Sequence, residues 1–180
     1  MSFENPAFAE LERIRKEHPQ QQAPSTANQL DEGPLAAASR VYLEGMDGKE
    51  IDVHCTIAKQ VKVKRFGGQP KFYGEFEIDD PDYPHFKGIK IPGSCQLPPN
   101  GKNPRCYEGA KFYQWWWIAN EKVKPRKNER MAFKRFLGSR FRVRLHTVRK
   151  NAKQQPHPEG LQYTVVEDIV ALHARSIKSR

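Results

Sequence analysis

Arg142 and Arg144 sit two positions apart inside the alternating stretch Phe141-Arg142-Val143-Arg144-Leu145-His146-Thr147. Side chains two apart on an extended strand share a face. The two guanidiniums and His146 therefore stand opposite Phe141, Val143 and Leu145, and two planar guanidiniums on one face suit bidentate contact with phosphate oxygens. A second cationic set, Lys62, Lys64, Arg65 and Lys71, is interleaved with Phe66 and Tyr73, flat rings on which an unstacked base can lie. A third set, Lys124, Arg126, Lys127 and Arg130, follows the run Trp115-Trp116-Trp117. The chemistry these residue types offer together is polyanion binding: cations track phosphates, and each base–aromatic stack adds about 1–3 kcal/mol.

The distribution of charge supports that reading over a merely solvated basic face. The chain has 180 residues and a formal net charge of +10. Residues 111–153 carry fourteen basic residues against Glu121 and Glu129, a local net of +12, whereas the other 137 residues carry 17 basic and 19 acidic ones. Positive charge concentrated in one aromatic-containing segment fits a polyanionic partner better than a general solubility device.

Catalysis finds little support. There is no GxxxxGK[ST] loop, GxSxG elbow, HExxH pair or CxxC, and Gly67-Gly68 lacks the helix start that a phosphate-cradling loop needs. Asp79, Asp80 and Asp82 form an acidic cluster that resembles half of a divalent-metal site, but they lie in a Pro-rich stretch without partner acids. Cys55, Cys95 and Cys106 are odd in number and widely spaced, which argues against a disulfide framework. His54-Cys55 with Cys95 and Cys106 lacks the close ligand pairs of structural zinc sites. The expectation is a protein with no catalytic residues, no metal and no cofactor.

The elements that must position these residues follow from periodicity. Residues 5–18 have Phe8, Leu11 and Ile14 at helical spacing, and the following Gln-, Pro-, Ala- and Ser-rich stretch reads as a flexible linker, so 1–39 form an N-terminal extension. From residue 40 the period is two. Ile51 to Ile57 alternates, Val61 to Lys64 continues after an interruption at Ala58-Lys59-Gln60, and Phe72 to Ile78 alternates beyond a Gly-Gly turn, giving a hairpin with a cationic tip. Residues 79–106 contain six prolines and read as a long loop with one short strand at Gly88–Ile91. Gly109 to Asn120 predicts a helix that buries Phe112, Trp115, Trp116 and Ala119 and leaves Trp117 as the exposed ring. A second short helix is expected from an Asn128 cap to Gly138, with Met131, Phe133, Phe136 and Leu137 supplying the apolar contacts. Phe141–Thr147 and Tyr163–Val170 supply the last two strands, and 173–180 form a basic tail. The fold class is mainly β with a helical insertion (α+β): a five-stranded antiparallel barrel resembling the OB-fold over 40–172.

The hairpin with its Gly-Gly turn, the aromatic helix, and the run Phe136-Leu137-Gly138-Ser139-Arg140-Phe141-Arg142-Val143-Arg144-Leu145 leading to Tyr163-Thr164-Val165-Val166 resemble small OB-fold, single-strand-binding-like proteins of bacterial phages, plasmids and other mobile elements. The resemblance spans roughly residues 50–170. It implies a sequence-tolerant binder of single-stranded nucleic acid, DNA above RNA, acting in replication, recombination or transfer of a mobile element. The chain departs from that pattern in its Pro-rich loop and in lacking an acidic C-terminal tip. A second reading is an assembly subunit that docks on a nucleoprotein complex through residues 1–18 and its exposed aromatics. A free sheet edge is also compatible with a homo-oligomer. No run reaches the roughly 18 apolar residues of a membrane span, and the acidic, Pro-containing start lacks signal-peptide order, so no membrane partner and a cytoplasmic location (bacterial cytosol or nucleoid) are expected.

Overall fold

The computed structural model describes residues 40–63, 68–99, 104–127, 129–151 and 153–174. The helix expected over 5–18, the hairpin-tip residues Lys64, Arg65 and Phe66, and residues 175–180 lie outside them. The described chain forms strands β1 (Glu50–Val63), β2 (Gln69–Ile78) and β3 (Lys90–Gln96), helix α1 (Lys111–Ala119), then β4 (Arg140–Val148) and β5 (Tyr163–Ala174). The sheet closes on itself in the order β1-β2-β3-β5-β4, with β4 returning to β1. No described helix is long and apolar enough to cross a membrane.

The ring is not wholly antiparallel, as the sequence had suggested, because β3 and β5 pair in parallel at Gly93 and Val166. The third strand is also longer than Gly88–Ile91. It runs through Pro92 and Gly93, and proline is tolerated because β3 meets β5 at one bridge only, which leaves most of that side without a ladder to break. Gly93 lies opposite Gly74, where an added Cβ would stand 2.8 Å and 2.7 Å respectively from Phe76 Cε2. The paired glycines make room for one inward phenylalanine, so alanine at either position displaces a buried ring.

Alternation sets the core. Ile51, Val53 and Cys55 of β1, Phe72, Phe76 and Ile78 of β2, and Phe141, Val143 and Leu145 of β4 are all buried. Helix α1 adds Phe112, Trp115, Trp116 and Ala119 from one face, at the spacing the sequence indicates. Phe72 is the centre of this packing, with ring centroids 4.7 Å from Phe136, 5.3 Å from Phe112 and 5.7 Å from Phe133. Each such side chain removed from water stabilises the fold by about 1.5–3 kcal/mol.

One local expectation is shifted and another fails, each for a physical reason. The interruption in β1 is a bulge within one continuous strand, but it lies between Cys55 and Ile57 rather than at Ala58-Lys59-Gln60, and one extra residue reverses which side faces in. Val61 therefore does not join the main core: it packs with Tyr73 and Ile57 in a small separate cluster. The second helix is reduced to a 3-10 turn at Phe133–Arg135. Met131 N–H donates to Pro104 O at 3.2 Å, so this segment buries Met131 and Phe136 by being pinned across to residue 104 rather than by coiling.

Candidate nucleic-acid interface

The β4 arginines are the first test of the sequence reading. Register places Arg142 opposite Asp52 and Arg144 opposite Glu50 on β1. Arg142 Nη1 lies 2.9 Å from Asp52 Oδ1 and 3.1 Å from Asp80 Oδ2, and Arg144 Nη2 lies 2.9 Å from Glu50 Oε1. The hydrogen bond to Asp52 raises the pKa of Arg142, and that to Glu50 raises the pKa of Arg144. Arg140 reaches Asp79 and Asp52, while His146 and Arg149 both meet Asp47, at 3.3 and 3.0 Å. This face is an ion-paired ladder between two strands. The side chains expected to form a clamp, Arg142, Arg144 and His146, are thus paired with acids, and a phosphate there must compete with carboxylates already in place.

The acidic cluster is absorbed by the same ladder. Asp80 is buried, and its carboxylate accepts the backbone N–H of Asp52 at 2.8 Å and of Asp82 at 2.9 Å. These acids fasten the loop after β2 to β1 and β4.

A different set of cations gathers around the end of β3. Gln96 pairs with Lys71 and Leu97 N–H donates to Pro70 O at 3.0 Å, so Lys71 adjoins residues 96–97, whereas Lys62, paired with Pro70, lies one strand further away and on the opposite face from Lys71. The basic segment after α1 is strapped to the chain that follows β3 by three contacts. Met131 N–H bonds to Pro104 O, the Arg105 guanidinium donates to Lys127 O, and Lys124 Nζ lies 3.0 Å from Glu108 Oε1, an ion pair that raises the lysine's pKa. The stretch from Lys124 to Arg130 is therefore held against residues 104–108. Among the described residues, the Arg126 and Lys127 side chains meet no carboxylate. Between the end of β3 and residues 105–111 lies an open groove of about 600 Å³, lined by Leu97, Pro98, Arg105, Cys106, Tyr107 and Lys111 among others.

The expected platforms fare unevenly. Tyr73 is only 3% exposed, with Lys59 Nζ 5.6 Å from its ring centroid, and burial pushes its hydroxyl pKa up. It is a packed residue and no stacking surface, because the slip in β1 brings Val61 and Ile57 against it. Trp117 is the outermost of the three tryptophans, as expected, but only partly exposed. Its indole N–H donates to Lys122 O at 2.6 Å and Lys122 Nζ lies 5.9 Å from its ring. Glu121 and Lys122, both left-handed at φ +56° and +60°, form the turn that makes this contact.

No protein-family model, curated protein or solved structure matches this chain. The case for the interface therefore rests on its own geometry.

Sequence reasoning missed Arg105, Tyr107 and Lys111. Their signal was present: a cation, an aromatic and a second cation within seven residues, immediately before a helix. Lys111 Nζ stands 5.0 Å from the Trp115 ring, and Tyr107 is 78% exposed. The cysteines are protonated at neutral pH: burial pushes the Cys55 and Cys95 thiols up to about 12 and that of Cys106 to about 11. They bring no ready thiolate to the groove.

Proposed function

We propose that this chain is a non-catalytic, sequence-tolerant binder of single-stranded nucleic acid with an OB-fold-like barrel, serving the replication, recombination or transfer of a mobile element. The observation that carries the reading is the groove at the end of β3, with Arg105 and Lys111 in its wall and the stretch Lys124 to Arg130 strapped to residues 104–108. Segments apart in sequence supply this cationic rim, in which Arg126 and Lys127 meet no described carboxylate, whereas the arginines of β4 are matched by acids. The barrel assignment draws on the strand order β1-β2-β3-β5-β4, the parallel β3–β5 contact and the helix between β3 and β4. In such barrels the β2–β3 region is a common oligonucleotide site, and the pairing of Lys71 with Gln96 beside the groove supports the reading.

Titration of a fluorescent twelve-residue oligo-dT tests the reading. With four phosphates neutralised, affinity should fall about fifty-fold between 50 and 200 mM salt, following a slope of roughly −0.7 per phosphate. A duplex of the same length should bind more weakly. Salt-independent binding, or a preference for the duplex, would reject the proposal.

A further inference from the structure

We infer that the groove beside Tyr107 is a seat for a single unstacked nucleobase, with Tyr107 as the ring on which that base lies and Arg105 and Lys111 flanking it for the adjoining phosphates. This rests on the single-strand reading above and adds to it a specific subsite. Tyr107 is by far the most exposed large apolar side chain described, so core packing does not account for it. Its backbone is nevertheless held in a defined turn. Ala110 N–H donates to Tyr107 O at 2.9 Å, closing a tight turn that leads into α1. The turn lays the ring over Gly109, where a Cβ would stand 3.0 Å from Tyr107 Cε2. Glycine thus lets the ring rest close against its own backbone, which is the support a stacking platform needs.

The surroundings fit a nucleotide. The groove's volume of about 600 Å³ falls within the usual range of ligand clefts, about 300–1,000 Å³. Its wall includes the apolar Leu97, Pro98 and Ala110, suited to a base edge, while cations occupy its rim. Arg105 is held by the Lys127 carbonyl and Lys111 by the Trp115 ring, so both charges are placed before a ligand arrives. The base–aromatic contact is tolerant of sequence, because every base has a π-face.

The test compares a labelled dT12 with a strand of equal length built from abasic units. Tyr107→Ala should weaken binding of dT12 by about five- to 150-fold, the range of a single lost stack. The same variant should bind the abasic strand as the parent does, and Tyr107→Phe should retain dT12 affinity within about twofold. The salt slope should stay unchanged in both variants, since no phosphate contact is removed. Equal losses on both strands would show that Tyr107 acts through local structure and would overturn the inference. Unchanged dT12 affinity in Tyr107→Ala would overturn it too, leaving the single-strand reading intact. A parent protein that binds neither strand would remove both.

Discussion

Two basic surfaces of this molecule differ in what stands across from their charges. On the β1/β4 face, Glu50, Asp52, Asp79, Asp80 and Asp47 oppose Arg144, Arg142, Arg140, Arg149 and His146, and His173 Nε2 adds a further contact 3.2 Å from Asp52. At the end of β3, Glu108 pairs with Lys124, and Arg126 and Lys127 reach no described carboxylate. The first surface uses its cations to hold strands together. The second leaves the charges of Arg126 and Lys127 facing solvent, without a carboxylate among the described residues. A positive count along a sequence segment therefore measures potential only after the fold has assigned partners: Asp52 and Asp80 lie 90 and 62 positions from Arg142, and Glu50 lies 94 from Arg144.

The largest expected effect breaks the ladder at its buried point. Asp80→Ala removes the acceptor for two backbone N–H groups and one guanidinium. Leaving those donors without partners should destabilise the protein by about 3 kcal/mol, the lower end of the range for a broken buried pair, because Arg142 remains partly exposed to water. Urea denaturation measures this, and dT12 affinity of the folded variant should stay within about twofold of the parent. A variant as stable as the parent would mean that the ladder is incidental to the fold.

The next effect is confined to the rim. The double substitution Arg126→Glu and Lys127→Glu should lower dT12 affinity by about ten- to 100-fold at 50 mM salt and make the salt slope shallower by about 1.4, two phosphates' worth. Its stability should move by no more than about 0.5 kcal/mol, since both side chains are exposed. Arg142→Gln is the counterpart on the other surface, with stability lowered and dT12 affinity unchanged within about twofold. Similar affinity losses from both sets would abolish the distinction between the surfaces.

The sequence made the elements of this contrast legible, but not their partnerships. Strict alternation announced β4, and the i, i+3, i+4, i+7 spacing announced the buried face of α1, because both signals are local. The ladder depends on register between β1 and β4, which periodicity leaves open. Tyr73 is a case of the same kind: it lies on the polar side of the β2 alternation, but the slip near Thr56, which sends Val61 and Ile57 against its ring, is a single-residue event that the alternating pattern on either side conceals. Tyr107 and Arg105 went unnoticed because they lie in an irregular segment with no period to mark a face, and they gain meaning only when residues 104–111 are drawn beside Gln96 and Lys127. The second helix is reduced to the turn at Phe133–Arg135 beside a long-range contact, Met131 with Pro104, that periodicity does not reveal; its expected cap, Asn128, lies outside the described residues.

The smallest effect sharpens the comparison through pH. Asp47 accepts the Thr147 backbone N–H at 2.8 Å, and this hydrogen bond, aided by Arg149 and His146 against a partial opposing loss of solvation, holds its carboxyl below the ordinary carboxylate range. A carboxylate with a depressed folded-state pKa contributes stability that is fully present above its unfolded-state pKa and is lost as pH falls through the lower folded-state value. The side chain is about a third exposed, so solvent screening limits the contribution to at most about 1 kcal/mol. Thermal unfolding of Asp47→Asn should therefore fall below the parent at pH 7, with the two curves converging as the pH is lowered past the carboxylate range. dT12 affinity at pH 7 should be equal in the two proteins, because Asp47 belongs to the ladder and not to the rim. A constant difference in stability across that range would mean that the Thr147 contact acts without the charge, and that this end of the ladder is held by hydrogen bonding alone.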